Sequence, residues 1–276
     1  MIKINLLTGD STRISKSNGC KQVDFIDGIK CLNETYVPIE PWETLGKSES
    51  NTLISKKHNY TDVSLIKLPS NIRKTFAKLK IDNCININDI NYIQNSIEFK
   101  NAMKRLLRYL THFNVGEREL TPHSLYFGKP NLHNNTFNSK EKVYIGMHLD
   151  SWEGDPFHNR SKSRNRICIN LGKESRYLLF YGIGLDEMAK LSNFDTSTDR
   201  FDINKIYKDF AKIGLEYPIY RLEIKPFEAY IAPTEYVIHD GSSWNSSNPD
   251  INLVVRGNFF FGKLNLFRKI AIHLKF

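Results

Sequence analysis

Met147-His148-Leu149-Asp150-Ser151-Trp152 is the stretch on which the reading of this chain turns. Side chains alternate along a strand, so a His and an Asp two residues apart reach the same side of it. The preceding run, Lys142-Val143-Tyr144-Ile145-Gly146-Met147, reads as a strand and brings His148 and Asp150 out together with Tyr144 and Gly146. Alone, His-x-Asp is a tripeptide that recurs by chance. A second imidazole from a distant strand would complete three ligands on one face of a metal and leave the opposite face open.

His239 is the candidate. It closes the strand-like run Tyr236-Val237-Ile238 and precedes an Asp240-Gly241 turn. Farther on, Leu253-Val254-Val255-Arg256-Gly257-Asn258-Phe259-Phe260-Phe261 sets Arg256 among apolar residues. A cation there is costly unless paired. A bound dicarboxylate would pair it bidentately.

From about Pro122 the chain consists of short apolar segments rich in β-branched and aromatic residues, at 124–127, 142–149, 166–171, 177–181, 219–224, 229–231, 236–239 and 253–261. Many short strands separated by turn signals predict a sandwich or barrel. A helical insertion is expected around 186–213. Upstream, residues 1–67 are polar and irregular, with strand-like pieces at 2–7 and 63–68. Ser70 is expected to cap a helix starting at Asn71. A longer helix is predicted over 96–113, where Ile97, Phe99, Met103, Leu106, Leu107, Leu110 and Phe113 recur at helical spacing and Lys100, Lys104, Arg105 and Arg108 take the other face. The organisation expected is an N-terminal extension, 1–115, with helices packed on a core formed by 116–276. The Asn- and Ser-rich stretch 131–140 reads as a flap.

Composition narrows the class. The 276 residues, 40% hydrophobic and 12% aromatic, suffice for one large domain or a domain with an extension. No apolar run approaches a membrane span, and residues 1–7 do not read as a secretory signal. The formal charge of +9 raises nucleic acid or an acidic substrate as partners, but the basic residues are dispersed where a nucleic-acid footprint is clustered. Cys20, Cys31, Cys84 and Cys168 lack zinc-finger spacing and read as reduced thiols. A cytoplasmic protein without membrane or nucleic-acid partners is the expectation.

On these residues the chain resembles the Fe(II)/2-oxoglutarate-dependent oxygenase superfamily, over roughly 124–261. The order matches: His-x-Asp on an early strand, a distal His on a late one, a basic residue on the last. The Arg-led strand Arg164-Asn165-Arg166-Ile167-Cys168-Ile169-Asn170 and the run Lys225-Pro226-Phe227-Glu228-Ala229-Tyr230-Ile231-Ala232-Pro233 are also familiar in that family. The resemblance implies a mainly β fold with flanking helices (α+β) around a double-stranded β-helix (jelly-roll, cupin-like) core. It implies that His148, Asp150 and His239 form the catalytic Fe(II) centre and that Arg256 clamps 2-oxoglutarate. Asn258 would replace the Ser of the family's Arg-x-Ser, and the gap between His239 and Arg256 is longer than the commonest one. Related halogenases carry Gly or Ala in place of the carboxylate, so Asp150 favours hydroxylation, desaturation or another oxidation.

Around that centre, Arg166 and Asn170 are candidates for 2-oxoglutarate or a substrate carboxylate; the alternative is an Arg ion-paired at the rim. Tyr177 offers a phenol to a carboxylate, or packs in the core with its hydroxyl satisfied. Trp152, Glu153, Arg164 and Trp244 are expected near the substrate, with Glu153 or Asp155 receiving an amine unless Gly154-Asp155-Pro156 is only a turn. His58, His112, His123, His133 and His273 have no partner spacing and receive no role. The implied activity is hydroxylation, by O2, of an unactivated C–H bond in a small amino-acid-like or peptide substrate, with release of succinate and CO2. The competing readings are a protein side-chain hydroxylase, a non-oxidative cupin-like isomerase or hydrolase, and a binding module without activity.

Overall fold

The computed structural model describes residues 1–6, 10–196, 203–213 and 216–261. The end of the expected core (262–276, with His273) and residues 197–202 of the expected insertion lie outside the described residues. In chain order the elements are β1 (Ile4–Leu6), β2 (Ile14–Asn18), β3 (Cys20–Ile26), β4 (Ile29–Pro38), β5 (Glu43–Thr44), α1 (Lys47–Leu53), β6 (Val63–Lys67), α2 (Ser70–Ala77), α3 (Ile87–Asn95) and α4 (Ile97–Thr111). There follow β7 (Thr121–Gly128), β8 (Phe137–Asn138), β9 (Val143–Tyr144), β10 (Asn165–Asn170), β11 (Arg176–Tyr181), α5 (Leu185–Leu191), α6 (Ile203–Lys212), β12 (Pro218–Ile224), β13 (Glu228–Ala232), β14 (His239–Ser242) and β15 (Asp250–Gly257).

Among the described residues the architecture is mostly β sheet with several helices, consistent with a cupin-like fold. One sheet has the order β1-β6-β13-β10-β15-β7, a second β14-β11-β12-β2-β5, and a smaller one β3-β4-β9-β8. Residues upstream of 116 thus enter both large sheets: β6 pairs with β13 and β2 with β12.

Each strand's alternation explains the layering. On β10, Ile167 and Ile169 turn outward to α2–α4, where Phe76, Phe99, Ala102, Leu106 and Leu110 cover them. Cys168 turns inward to meet Leu178, Phe180, Leu222 and Tyr230 between the large sheets. On the far side of β11, Leu179 and Tyr181 pack under α5 and α6 against Met188, Ile206, Tyr207 and Phe210. Burying one such side chain contributes about 1.5–3 kcal/mol.

Several expectations shift. α4 starts one residue later than predicted, with Ser96 as cap accepting from the Phe99 amide at 3.1 Å. Ser70 is not a cap; it is the first residue of α2, and Pro69 holds the cap position. The strand expected over 142–149 is interrupted by Gly146 at φ +69°, so only Val143–Tyr144 and a bridge at His148 are strand-like. The 131–140 segment is no free flap. It is laced to β14 by Asn131 N–H to Ser243 O, Ser243 N–H to Leu132 O and Asn135 N–H to Gly241 O, each 3.0 Å. Within the described residues, no helix is long and apolar enough to cross a membrane.

Candidate metal centre and adjoining cavity

Backbone pairing brings the two histidines together. His148 and His239 form an antiparallel bridge, and their rings lie 4.7 Å apart between centroids. The Asp150 amide donates to Thr234 O at 2.9 Å, tying the next turn of chain to the segment that leads into β14. One ligand atom from each of His148, Asp150 and His239 falls within 4.8 Å of the others. Asp150 Oδ1 is 3.7 Å from His148 Nε2, and Oδ2 is 3.8 Å from His239 Nε2. Such separations exceed hydrogen-bond reach. They are short enough for one ion with bonds of about 2.1 Å to bridge.

Both imidazoles are held by the same device. His148 Nδ1 faces Gly146 O at 2.8 Å and His239 Nδ1 faces Val237 O at 3.1 Å, each a carbonyl two residues back. A proton on Nδ1 satisfies that carbonyl and leaves the Nε2 lone pair for a metal. Among the described residues, buried His239 Nε2 has no hydrogen-bond partner. Burial pushes the His239 imidazolium well below its ordinary range, with Arg166 adding to the effect, so the ring is neutral as a ligand must be. Burial would raise the Asp150 carboxyl, but Arg166 and the two imidazoles outweigh it and hold it well below the usual carboxylate range. The three side chains fit an Fe(II) facial triad.

A cavity of about 450 Å³ adjoins the triad between the two large sheets. Gly241 and Trp152, two residues beyond His239 and Asp150, line it. So do Arg166, Arg176 and Arg256, with Tyr126, Cys168, Tyr230, Asn252 and Val254. Arg166 donates to Asp150 Oδ2 and to Tyr230 Oη, both at 3.1 Å. Arg176 is buried and forks onto Asp250 through Nε (2.9 Å) and Nη2 (3.3 Å), while Nη1 points at Cys168 Sγ at 3.4 Å. Gly241 makes room for it: a Cβ there would lie 2.8 Å from Arg176 Nη2. Asn135 Nδ2 donates to Asp250 Oδ2 at 2.6 Å, and Asn134 Nδ2 to Asp240 Oδ2 at 2.8 Å.

The other expected site residues divide. Trp152, Arg166 and Arg256 line the cavity. Glu153 and Arg164 stand behind it, with Arg256 and Arg164 both donating to Glu153 Oε1, at 3.0 and 2.8 Å. Four residues lie elsewhere. Asn170 is occupied by backbone groups, donating to Glu174 O and Ile224 O and accepting from Gly172 N–H. Tyr177 is on the outer face of β11, its ring 5.0 Å from the Arg221 guanidinium. Asn258 lies past the end of β15 and donates to Tyr60 Oη at 2.9 Å. Trp244 stacks on His133 at 3.7 Å, away from the cavity.

Four contributors were not anticipated. Arg176 heads an apolar strand, the same signal that singled out Arg256. His123, given no role, lines the cavity 5.3 Å from the Trp152 ring, and among the described residues its buried Nε2 has no partner. Glu235 is buried and accepts from the Trp152 and Glu153 amides at 2.8 and 2.7 Å. Arg160, also buried, donates to Asp150 O at 3.1 Å. Nothing in local spacing marks the last two.

No family model and no curated protein matches the chain. Two solved structures of the Kdo hydroxylase KdoO, a non-heme Fe(II) alphaketoglutarate-dependent dioxygenase, are similar to it. The first, in complex with succinate and Fe(III), has 10% sequence identity and a TM-score of 0.40, over 79% of this chain and 87% of that one. The second, in complex with cobalt(II), has 9% identity and a TM-score of 0.40, over 78% and 87%.

Proposed function

We propose that the chain is a non-heme Fe(II)/2-oxoglutarate-dependent oxygenase that hydroxylates an unactivated C–H bond of a small amino-acid-like or peptide substrate and releases succinate and CO2. One observation carries this: His239 Nε2, buried and without a protein partner among the described residues, converges with His148 Nε2 and the Asp150 carboxylate beside a cavity. Bound there, Fe(II) supplies redox chemistry with O2 and 2-oxoglutarate.

The chain's own residues prepare that chemistry. The Gly146 and Val237 carbonyls fix both rings, so the ligands are set before the metal arrives. Arg166 keeps Asp150 ionised and in place. The cosubstrate's distal carboxylate is assigned to Arg176 in place of Arg256. Arg176 lies at the enclosed end, beside buried Cys168 and Asn252, whereas Arg256 stands over the exposed ring of Trp152. The apolar wall of Leu125, Phe137 and Val254 limits water beside the reacting carbon. Three arginines facing inward favour this reading over a non-oxidative metalloprotein, which does not need them.

The strand orders β13-β10-β15-β7 and β14-β11-β12, with His148 bridged to β14 at the end of its sheet, support a double-stranded β-helix as the core. The four free cysteines agree with a reducing cytoplasm, which also suits ferrous iron.

The test is succinate formation from 2-oxoglutarate with Fe(II) in air, screened across amino acids and short peptides. His148→Ala is expected to abolish it. Arg176→Gln is expected to raise the half-saturation for 2-oxoglutarate. No succinate under any condition, from a folded chain that has taken up Fe(II), would refute the assignment.

A further inference from the structure

Charge is matched one to one at two places on the cavity wall and mismatched at a third. Arg166 has Asp150, and Arg176 has Asp250. The single carboxylate of Glu153 accepts from three guanidiniums: Arg118 at 2.6 Å, Arg164 at 2.8 Å and Arg256 at 3.0 Å. Arg118 is 59% exposed, so water screens it, but the Arg164, Arg256 and Glu153 side chains are only 12%, 14% and 4% exposed. Two poorly hydrated cations therefore share one anion. Among the described residues, buried Arg256 Nε also has no partner. A desolvated cation lacking a counter-charge is costly.

The surplus faces the site. The Arg256 guanidinium lies 5.2 Å from the Trp152 ring centroid, and both residues line the cavity. Within the described residues no Asp or Glu lines it. The arrangement is rigidly tied to the triad, because Glu235 holds the Trp152 and Glu153 amides and Trp152 is two residues from Asp150.

We infer that Arg256, backed by Arg164 and Arg118, is a subsite for an anionic group of the substrate, a carboxylate or a phosphate. This rests on the oxygenase reading and narrows it: the substrate is a small organic acid or phosphate ester whose anionic end sits over Trp152. It also removes Glu153 as the receiver of an amine, because an ammonium group approaching Glu153 meets a net positive cluster.

Isothermal titration of the full chain with N-acetylglycine, inorganic phosphate and neutral N-acetylglycinamide tests this, with anaerobic Fe(II) uptake measured on the same samples. At least one anion is expected to bind, and the neutral amide to bind about tenfold more weakly or less. The tighter of the two anions separates carboxylate from phosphate. Arg256→Gln is expected to erase the preference for charge while Fe(II) uptake persists. Arg118→Gln, at an exposed position, gives a smaller loss in a variant that keeps its fold. Equal binding of acid and amide, or no anion binding by a chain that takes up Fe(II), overturns the subsite and leaves the oxygenase reading standing. Anion binding through Arg256 by a chain that takes up no Fe(II) overturns the oxygenase reading, and with it the anion's role as substrate.

Discussion

His148 and His239 are paired backbone to backbone: the His148 amide donates to His239 O at 3.0 Å and the His239 amide donates back at 2.9 Å. In a hydrogen-bonded antiparallel pair the two Cα atoms stand about 5.5 Å apart. The spacing of the imidazoles is thus set by the ladder, and each ring needs only its Nδ1 carbonyl to fix its tilt. A metal site built this way is organised by main chain and is sensitive to backbone changes that leave the ligands intact.

Gly146→Ala tests that sensitivity. Gly146 has φ +69°, and a Cβ there would lie 2.6 Å from Thr35 Cγ2 and 2.7 Å from Tyr36 O. The carbonyl that orients His148 belongs to this residue. The variant is expected to lose about 1–3 kcal/mol of stability, read by urea denaturation, and to bind Fe(II) more weakly. Unchanged metal affinity in the folded variant would show that the carbonyl does not orient the ring.

Asp250→Asn addresses the enclosed end of the cavity. Asp250 takes Nε and Nη2 of Arg176 and the amide of Asn135, all buried. Removing its charge leaves a buried guanidinium uncompensated, and the expected cost is about 3–5 kcal/mol. Replacing both partners with apolar residues, as in Asp250→Leu with Arg176→Met, should recover much of that stability while weakening 2-oxoglutarate binding. A double variant no more stable than the single one would mean that Arg176 contributes packing more than charge.

What the sequence reveals depends on whether the pattern that marks an element also distinguishes its faces. The run at 166–171 and the helix at 96–113 were legible because apolar residues recur at the right period or cluster under flanking turn signals. β11 is covered on both sides, by Leu178 and Phe180 inward and by Leu179 and Tyr181 under the helices, so no alternation tells which parity faces the cavity. The sequence therefore leaves Tyr177 open between the site and the core, and gives no sign that Arg176, one residue earlier, faces the cavity. The β3–β4 hairpin was missed because β3 has no buried face to leave a pattern. The triad was legible because its three residue types carry the chemistry themselves. Glu235 and Arg160 were not, because their partners are backbone groups dozens of residues away or reached only through the fold.

Tyr60 gives a pH-dependent test of the contacts that hold Asn258 out of the site. Its hydroxyl donates to Ser163 O at 2.9 Å and accepts from Asn258 Nδ2 at 2.9 Å and the Asn165 amide at 3.3 Å. Burial pushes the phenol up to about 12. The unfolded phenol titrates near 10, lower than the folded one. Its stabilising contribution is therefore complete below about pH 10 and is lost as pH rises through about 12. Tyr60→Phe is expected to cost about 1 kcal/mol at neutral pH and to show a shallower loss of stability than wild type across that alkaline window. Identical alkaline profiles would mean that the phenol is solvated in the folded chain.

Metal binding itself should register as stability. Among the described residues His239 Nε2 has no partner, and the unfolded chain cannot hold the three ligands together. An ion that binds only the folded state stabilises it by about 2.7 kcal/mol at one hundred times its Kd. Anaerobic Fe(II), or redox-inert Zn(II), is accordingly expected to raise the denaturation midpoint in proportion to the logarithm of its concentration, and a chelator to reverse the shift. His239→Ala should remove the dependence. Because it also empties a buried position, His148→Ala at a less buried ring provides the second variant, with the same loss of metal dependence expected. A midpoint indifferent to metal in wild type, or equally responsive in both variants, would place the ion elsewhere on the chain.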